Sequence, residues 1–220
     1  KMSRGLTEAL DGWDNIRSSE LYGVEAWGNG YFHITEDGYA AVKLQNEQGP
    51  VSVKFHDIVR GLYQRGFSLP VLLRFSDLLA ARIRAINEAF AKAIADSGYA
   101  GSYRGVYPIK VNQQHQTVAD VVRLGAPFHH GLEAGSKAEL IAALGYLHDP
   151  AAYIICNGYK DAEFIDLALF SLKMGLQTIL VLEMPGELDL LLERAAKQNI
   201  RPRIGIRVKL ASSVGGKWAE

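Results

Sequence analysis

The 220-residue chain has one cysteine, three tryptophans, three methionines and no excess of either charge, its 24 basic residues matching its 24 acidic ones. Cys156 alone cannot close an internal disulfide, which excludes a cross-linked scaffold and favours a reduced, cytoplasmic compartment. Balanced charge leaves no net field to recruit nucleic acid or an anionic membrane surface. No apolar run reaches membrane-spanning length and no secretory signal is legible, so the expected partner is a small molecule or another protein. What remains is ordinary globular composition, 48% apolar and 22% charged, enough for one sizeable core. Lys1 precedes Met2 and Ala219-Glu220 closes on no cap or turn; the expectation is a portion of a longer protein.

The pattern along the chain changes once. Residues 21 to 60 carry strand chemistry: alternation at Tyr31 to Thr35, a turn at Asp37-Gly38, a second run from Tyr39 to Leu44, and a third from Val51 to Phe55 after Gly49-Pro50. A small antiparallel sheet is predicted over residues 1–68, too slight to stand alone. From residue 69 onward strands alternate with helices. Val71 to Phe75 is a short apolar run, and Ser76 caps a helix with Leu79, Ile83, Ile86, Phe90 and Ile94 on one stripe. Strands then follow at Tyr103 to Ile109, Phe128 to Glu133, Tyr153 to Asn157, Thr178 to Glu183 and Arg203 to Val208, with an amphipathic segment in each interval. Ser136-Lys137-Ala138-Glu139 has the form of a capping box. Such alternation means an α/β fold with parallel pairing, either an open doubly wound sheet or part of a (β/α)8 barrel over residues 69–220.

In both architectures, chemistry gathers where strands end at their carboxyl side. The candidates are therefore Lys110 with Asn112, Glu133 with Ser136, Cys156 to Lys160, Glu183 with its following turn, and Arg207 with the loop to Lys217. Lys110 is the sharpest. Val106, Tyr107, Pro108, Ile109 and Val111 surround it with mostly apolar groups, and an amine held at such a rim loses hydration, which favours the neutral form that Schiff-base chemistry needs. On spacing alone, a surface or salt-bridged lysine is the commoner reading.

The words around Lys110 decide more than its spacing. Tyr103-Arg104-Gly105-Val106-Tyr107-Pro108-Ile109-Lys110-Val111-Asn112-Gln113-Gln114 resembles the cofactor-lysine segment of biosynthetic arginine decarboxylases, which belong with ornithine and diaminopimelate decarboxylases and alanine racemase among barrel-type pyridoxal phosphate enzymes. The likeness continues in Gly131 to Leu140, Cys156 to Asp161 and Gly205 to Ser212. Upstream, Tyr22-Gly23-Val24, Trp27 to Phe32 and Leu69 to Asp77 resemble the arginine-specific branch, so nearly the whole chain is covered.

The resemblance implies a partial pyridoxal-phosphate barrel, decarboxylation of L-arginine to agmatine for polyamine synthesis, and a homo-oligomeric full-length enzyme. Lys110 is carried over as the cofactor lysine, with Glu133 orienting it, Asn157 lining the pocket and Arg207 holding a nearby carboxylate, for which Glu133 or Glu139 is the expected partner. Each has a plainer reading: a solvated glutamate, a turn asparagine before Gly158, a helix-capping Glu139. Magnesium is attributed to the family, but no ligand cluster is legible. The cofactor's phosphate site is implied to lie beyond residue 220, which leaves the chain alone inactive. The run Ser212 to Lys217 lacks Walker spacing. Cys156 reads as core rather than nucleophile. His129 and His130 read as strand residues on opposite faces, and His115 as incidental. A sister decarboxylase for ornithine, diaminopimelate or carboxynorspermidine, and a non-catalytic homologue, stand as alternatives.

Overall fold

A computed structural model describes residues 12–46 and 49–208, so the Ser212 to Lys217 run lies outside the described residues. The chain divides after Leu78 into two compact units. In the first, α1 (Asn15–Leu21) begins where Asp14 Oδ1 accepts the Arg17 N–H at 2.8 Å, and α2 (Val24–Gly28) follows. Strands β1 (Phe32–Ile34), β2 (Ala40–Asn46) and β3 (Gly49–Lys54) form the predicted antiparallel meander, in register Phe32 to Val42 and Val42 to Val53. Its first turn is tied by Thr35 Oγ1 donating to Asp37 Oδ1 at 2.7 Å and by a Lys54–Asp37 ion pair. Phe55 opens α3 (Phe55–Gln64) instead of ending the third strand. The rings of Trp27, Phe32, Phe55 and Phe75 run in sequence with centroids 5.3, 5.9 and 6.0 Å apart, beyond the reach of one hairpin's own side chains.

That ring packing accounts for one departure from expectation. Residues 71–75 form no strand. An apolar run becomes a strand only where a neighbour offers a ladder, and here Phe75 is used as a side chain against Phe55. The long helix α4 (Ser76–Ser97) then begins at Ser76 itself. Of its expected stripe, Ile83 is buried, together with Asn87, whereas Ile86 and Phe90 are exposed. Phe90 stacks instead on Tyr103, ring over ring at 3.9 Å.

The second unit repeats one motif. β4 (Val106–Pro108) leads through a 3-10 turn, Ile109–Val111, to α5 (His115–Gly125); β5 (Gly131–Ala134) to α6 (Lys137–Tyr146); β6 (Tyr153–Cys156) to α7 (Ala162–Lys173); β7 (Gln177–Leu182) to α8 (Gly186–Gln198); and β8 (Ile204–Ile206) completes the described sheet. All neighbours are parallel and the spatial order β4-β5-β6-β7-β8 is the chain order. A doubly wound sheet reverses its order at a switch point. These five strands contain no reversal, and they make the wall of a partial (β/α) barrel.

Alternation fixes the two faces of that wall. Leu132, Ala134, Ile154, Cys156 and Leu180 are fully buried in one cluster with Leu140, Phe164, Ile165, Ala168, Leu169 and Leu191 from the helices. Burying a side chain such as Phe164 contributes about 2–3 kcal/mol. The opposite face carries the half-buried alternates Glu133, Ile155, Ile179 and Val181, brought level by the Glu133–Ile155 and Ile155–Ile179 register. Helices start where side chains take up their free N–H groups: Ser136 Oγ accepts from Glu139 N–H at 3.2 Å, and Asp161 Oδ1 from Phe164 N–H at 2.9 Å.

The strands are shorter than alternation suggests. Ala126–Phe128 is a 3-10 turn, and His129 stands at φ 53° ahead of β5, where its Nδ1 lies 2.8 Å from Asp149 Oδ2. His129 and His130 are thus outside the strand, not on its two faces. His130 instead fills space left by Gly105 and Gly125: a Cβ at Gly105 would press into its ring and one at Gly125 into its own Cβ. That burial lowers the His130 pKa from its ordinary value.

Candidate active site

The turn that ends β4 presents Lys110 on the wall's open face. Ile109 is buried among the helices, so the next residue is forced toward the other side, and Lys110 Nζ comes 3.9 Å from Glu133 Oε1 on the neighbouring strand. The Pro108–Glu133 register makes that approach possible. The two are not equally solvated: the Lys110 side chain is 65% exposed and that of Glu133 12%. The dehydration expected from the apolar neighbours of Lys110 is therefore not present. Val106, Tyr107 and Pro108 belong to the strand, Ile109 is buried in the core and Val111 is itself exposed, and the four-carbon stem carries the amine clear of them. Asn112 shapes the turn's exit, its Oδ1 accepting the Gln114 N–H at 3.0 Å.

Asn157 follows β6 on the same face, two residues after Ile155, with its N–H donated to Ala134 O at 2.9 Å. Gly158 then turns at φ +78° and lies so close to Gly135 that a Cβ would overlap its carbonyl oxygen. Glu139 Oε2 accepts the Gly135 N–H at 2.7 Å, while Ser136 Oγ caps the Glu139 N–H. The capping box thus closes one residue earlier than its pattern specifies. Glu139 secures the turn after β5.

Arg207 corrects the expected pairing. Its Nη1 lies 3.2 Å from Glu183 Oε1, with Arg207 N–H continuing the ladder to Leu182 O at 3.0 Å. Glu133 and Arg207 share a face, but three strand intervals separate β5 from β8, roughly 14 Å at the usual strand spacing. Glu183, on the adjacent strand, meets the guanidinium first. The same Oε1 accepts the Gly158 N–H at 2.5 Å, and this hydrogen bond, ahead of the Arg207 charge, holds the Glu183 carboxyl below its ordinary pKa.

Beneath these groups sits an ion pair, Lys160 with Glu187, whose pairing and burial the sequence did not mark. Lys160 is 1% exposed at its side chain, donates from Nζ to Gly158 O at 2.6 Å and to Val181 O, and lies 3.8 Å from Glu187 Oε2. Glu187 accepts the N–H groups of Lys160 at 2.8 Å and Glu183 at 2.8 Å. Residue type places lysine and glutamate outside. The available signals were Glu187 in the first turn of a helix, four residues after a strand-end glutamate, and the place of Lys160 at the end of the candidate run after β6; neither marked the two as a pair. Burial lowers the Lys160 pKa from its usual value, with Glu187 opposing that shift.

The lone thiol belongs to the packed core. Cys156 points into the helix-facing core, where burial pushes its pKa up to about 12. In the native protein it is expected to resist a thiol reagent at pH 8 and to react fully once denaturant is added; stoichiometric native labelling within minutes would contradict this placement.

Residues 80–218 match the family model for the pyridoxal-dependent decarboxylases, pyridoxal binding domain. Two curated relatives are the biosynthetic arginine decarboxylases of Gloeobacter violaceus, 46% identical over 96% of this chain and 33% of that protein, and of a Nostoc species, 44% identical over 94% and 30%. A solved structure, the biosynthetic arginine decarboxylase SpeA of Campylobacter jejuni, superposes with a TM-score of 0.78 at 37% identity, over 88% of this chain and 32% of that one. The chain spans about a third of the length of the relatives it matches. With a lysine and a carboxylate meeting at the carboxyl rim of a parallel wall, and a family model matched across that wall, the chain belongs to the pyridoxal-dependent decarboxylases, whose pyridoxal-binding domain it carries.

Proposed function

We propose that the full-length protein decarboxylates L-arginine to agmatine and carbon dioxide, with pyridoxal phosphate bound through Lys110. The observation that carries this reading is the exposed Lys110 amine 3.9 Å from the Glu133 carboxylate at a barrel strand's carboxyl end. The residues fit the cofactor's chemistry: an aldehyde can reach a primary amine there, whereas Lys160, after β6, is buried and held by two carbonyls. Pyridoxal phosphate, when bound, supplies a conjugated ring that takes up the electron pair left as carbon dioxide departs.

The chain's own groups do the remaining work. Lys110 supplies the nitrogen that fixes the ligand at this rim, and Glu133, largely desolvated on β5, places its carboxylate beside that nitrogen. Asn157 and the Glu183–Arg207 pair, on the following strands, would line the space beside it. Arginine is favoured as substrate by relatives so named across 94–96% of this chain. Assembly into homo-oligomers, a cytoplasmic setting and a place in polyamine synthesis complete the proposal, and the isolated 220 residues are proposed to be inactive. Magnesium enters by resemblance alone; among the described residues no group of three or more His, Cys, Asp or Glu side chains could hold a metal, and none is assigned as ligand. Among the same residues, no helix is long and apolar enough to cross a membrane.

Carbon dioxide release from arginine and from ornithine by the full-length protein tests the reading. Arginine is expected to give at least about a hundredfold higher kcat/KM, because a site built to hydrogen-bond one substrate group rejects an analogue that lacks it. Preference for ornithine would move the protein to a sister specificity. Bound cofactor without release from either would make it a non-catalytic homologue.

A further inference from the structure

Among the described residues, Lys160 and Glu187 are the charged side chains that are buried. A buried lysine is costly, and this one is compensated by two main-chain carbonyls and a carboxylate rather than by any group a substrate would bring. The partners belong to two successive strand–helix units. Gly158 O lies in the turn after β6, Val181 O near the end of β7, and Glu187 in the first turn of α8. Glu187 ties the same loops from the other side, one oxygen on Lys160 N–H and the other on Glu183 N–H. The ring of Phe164 closes the space, its centroid 6.0 Å from Nζ.

We propose that Lys160 is a positioning residue, which clamps the turn after β6 onto β7 so that the Gly158 N–H and Arg207 converge on one oxygen of Glu183 at the rim that carries Lys110 and Glu133. The inference rests on the decarboxylase reading above, and it extends that site to a residue that touches no ligand. The geometry explains why Glu183 Oε1 takes two donors from two strands: Gly158 has its position and its left-handed turn set from below by the ammonium. Without the clamp, the turn would be free to lift, carrying Asn157 and the Glu183–Arg207 pair away from the positions they share with Lys110. Displacement of such groups by about 1 Å costs on the order of a hundredfold in rate.

The test uses the full-length enzyme. Lys160→Met keeps the stem and removes the ammonium. The expected result is a fall of roughly ten- to a hundredfold in kcat per folded molecule, with faster amide hydrogen exchange at Gly158 and Glu183 but not at Leu132 or Glu133. In a Glu183→Ala background, where the acceptor on which the two donors converge is gone, the same substitution should lower kcat by a smaller factor than in the parent enzyme. A lower melting temperature with unaltered kcat per folded molecule would mean a purely structural role and overturn the proposal, as would full additivity with Glu183→Ala. Should Lys160→Met fail to fold, Glu187→Gln, which keeps the shape and one accepting oxygen, is measured in the same way and judged by the same outcomes. A full-length protein that releases no carbon dioxide from arginine sinks the functional reading alone; exchange at Gly158 and Glu183 still decides whether Lys160 holds these loops.

Discussion

Lys110→Ala in the full-length enzyme is expected to abolish the absorbance of lysine-bound pyridoxal phosphate and to lower kcat/KM for arginine by about 10³-fold or more. The size of the effect follows from how the neighbouring amines are held. Among the described residues, the other lysines in the turns that end these strands are engaged: Lys160 is buried on its carbonyls, and Lys137 is held by Asp161 and Glu163, each at 2.8 Å, which push its pKa up to about 12. An ammonium so held has little free base to offer an aldehyde. The substitution should leave the fold intact, because the Lys110 side chain is 65% exposed and its ion pair with Glu133 sits at the outer limit of contact. Unchanged absorbance and turnover in the folded variant would falsify the assignment of Lys110 and transfer the role to another amine.

Gly131→Ala is expected to destabilise the protein by about 3 kcal/mol or to prevent folding, the largest effect of any single methyl in this wall. Gly131 opens β5, pairs with Val106 and donates its N–H to Gly105 O at 2.8 Å. A Cβ there would overlap the Tyr153 carbonyl of β6. Backbone cannot move aside as a side-chain tip can, so relief requires β5 and β6 to part. Gly145, in α6 with open space around it, is the control: Gly145→Ala should be neutral or stabilise by about 1 kcal/mol through helix propensity. Denaturant unfolding of the two variants, each against the parent protein, reads both effects. Equal stability of the two would show that the close approach at Gly131 is relieved at no cost.

Local pattern was enough for the larger order of this molecule. Apolar alternation marked β4 to β8 within a few residues, and Ser136 and Asp161 stand where caps are needed. Periodicity could not choose between a barrel and an open sheet, because helix and strand repeats are the same in both; strand order in space decides it. The short apolar run at residues 71–75 misled for a related reason: whether it becomes a strand depends on a partner that its own residues do not specify. At the site, Lys110 and Glu133 were legible from their words, but the partner of Arg207 was not. That pairing depends on which strands are neighbours, and the intervening β6 and β7 put Glu133 out of reach. Lys160 and Glu187 were least legible, since burial of a charge is set by main-chain oxygens and amides, and these carry no residue identity.

The equality of spatial and chain order in the wall bears on how it is assembled. Val106 pairs with Gly131, Leu132 with Ile154, Tyr153 with Gln177 and Leu180 with Ile204, so every ladder closes over a similar short separation, roughly 25 residues, and no step requires a distant segment to arrive first. Each strand–helix module, once docked, becomes the template for the one after it. A polypeptide leaving the ribosome amino end first could therefore build this wall by accretion, each new strand adding at the same advancing edge.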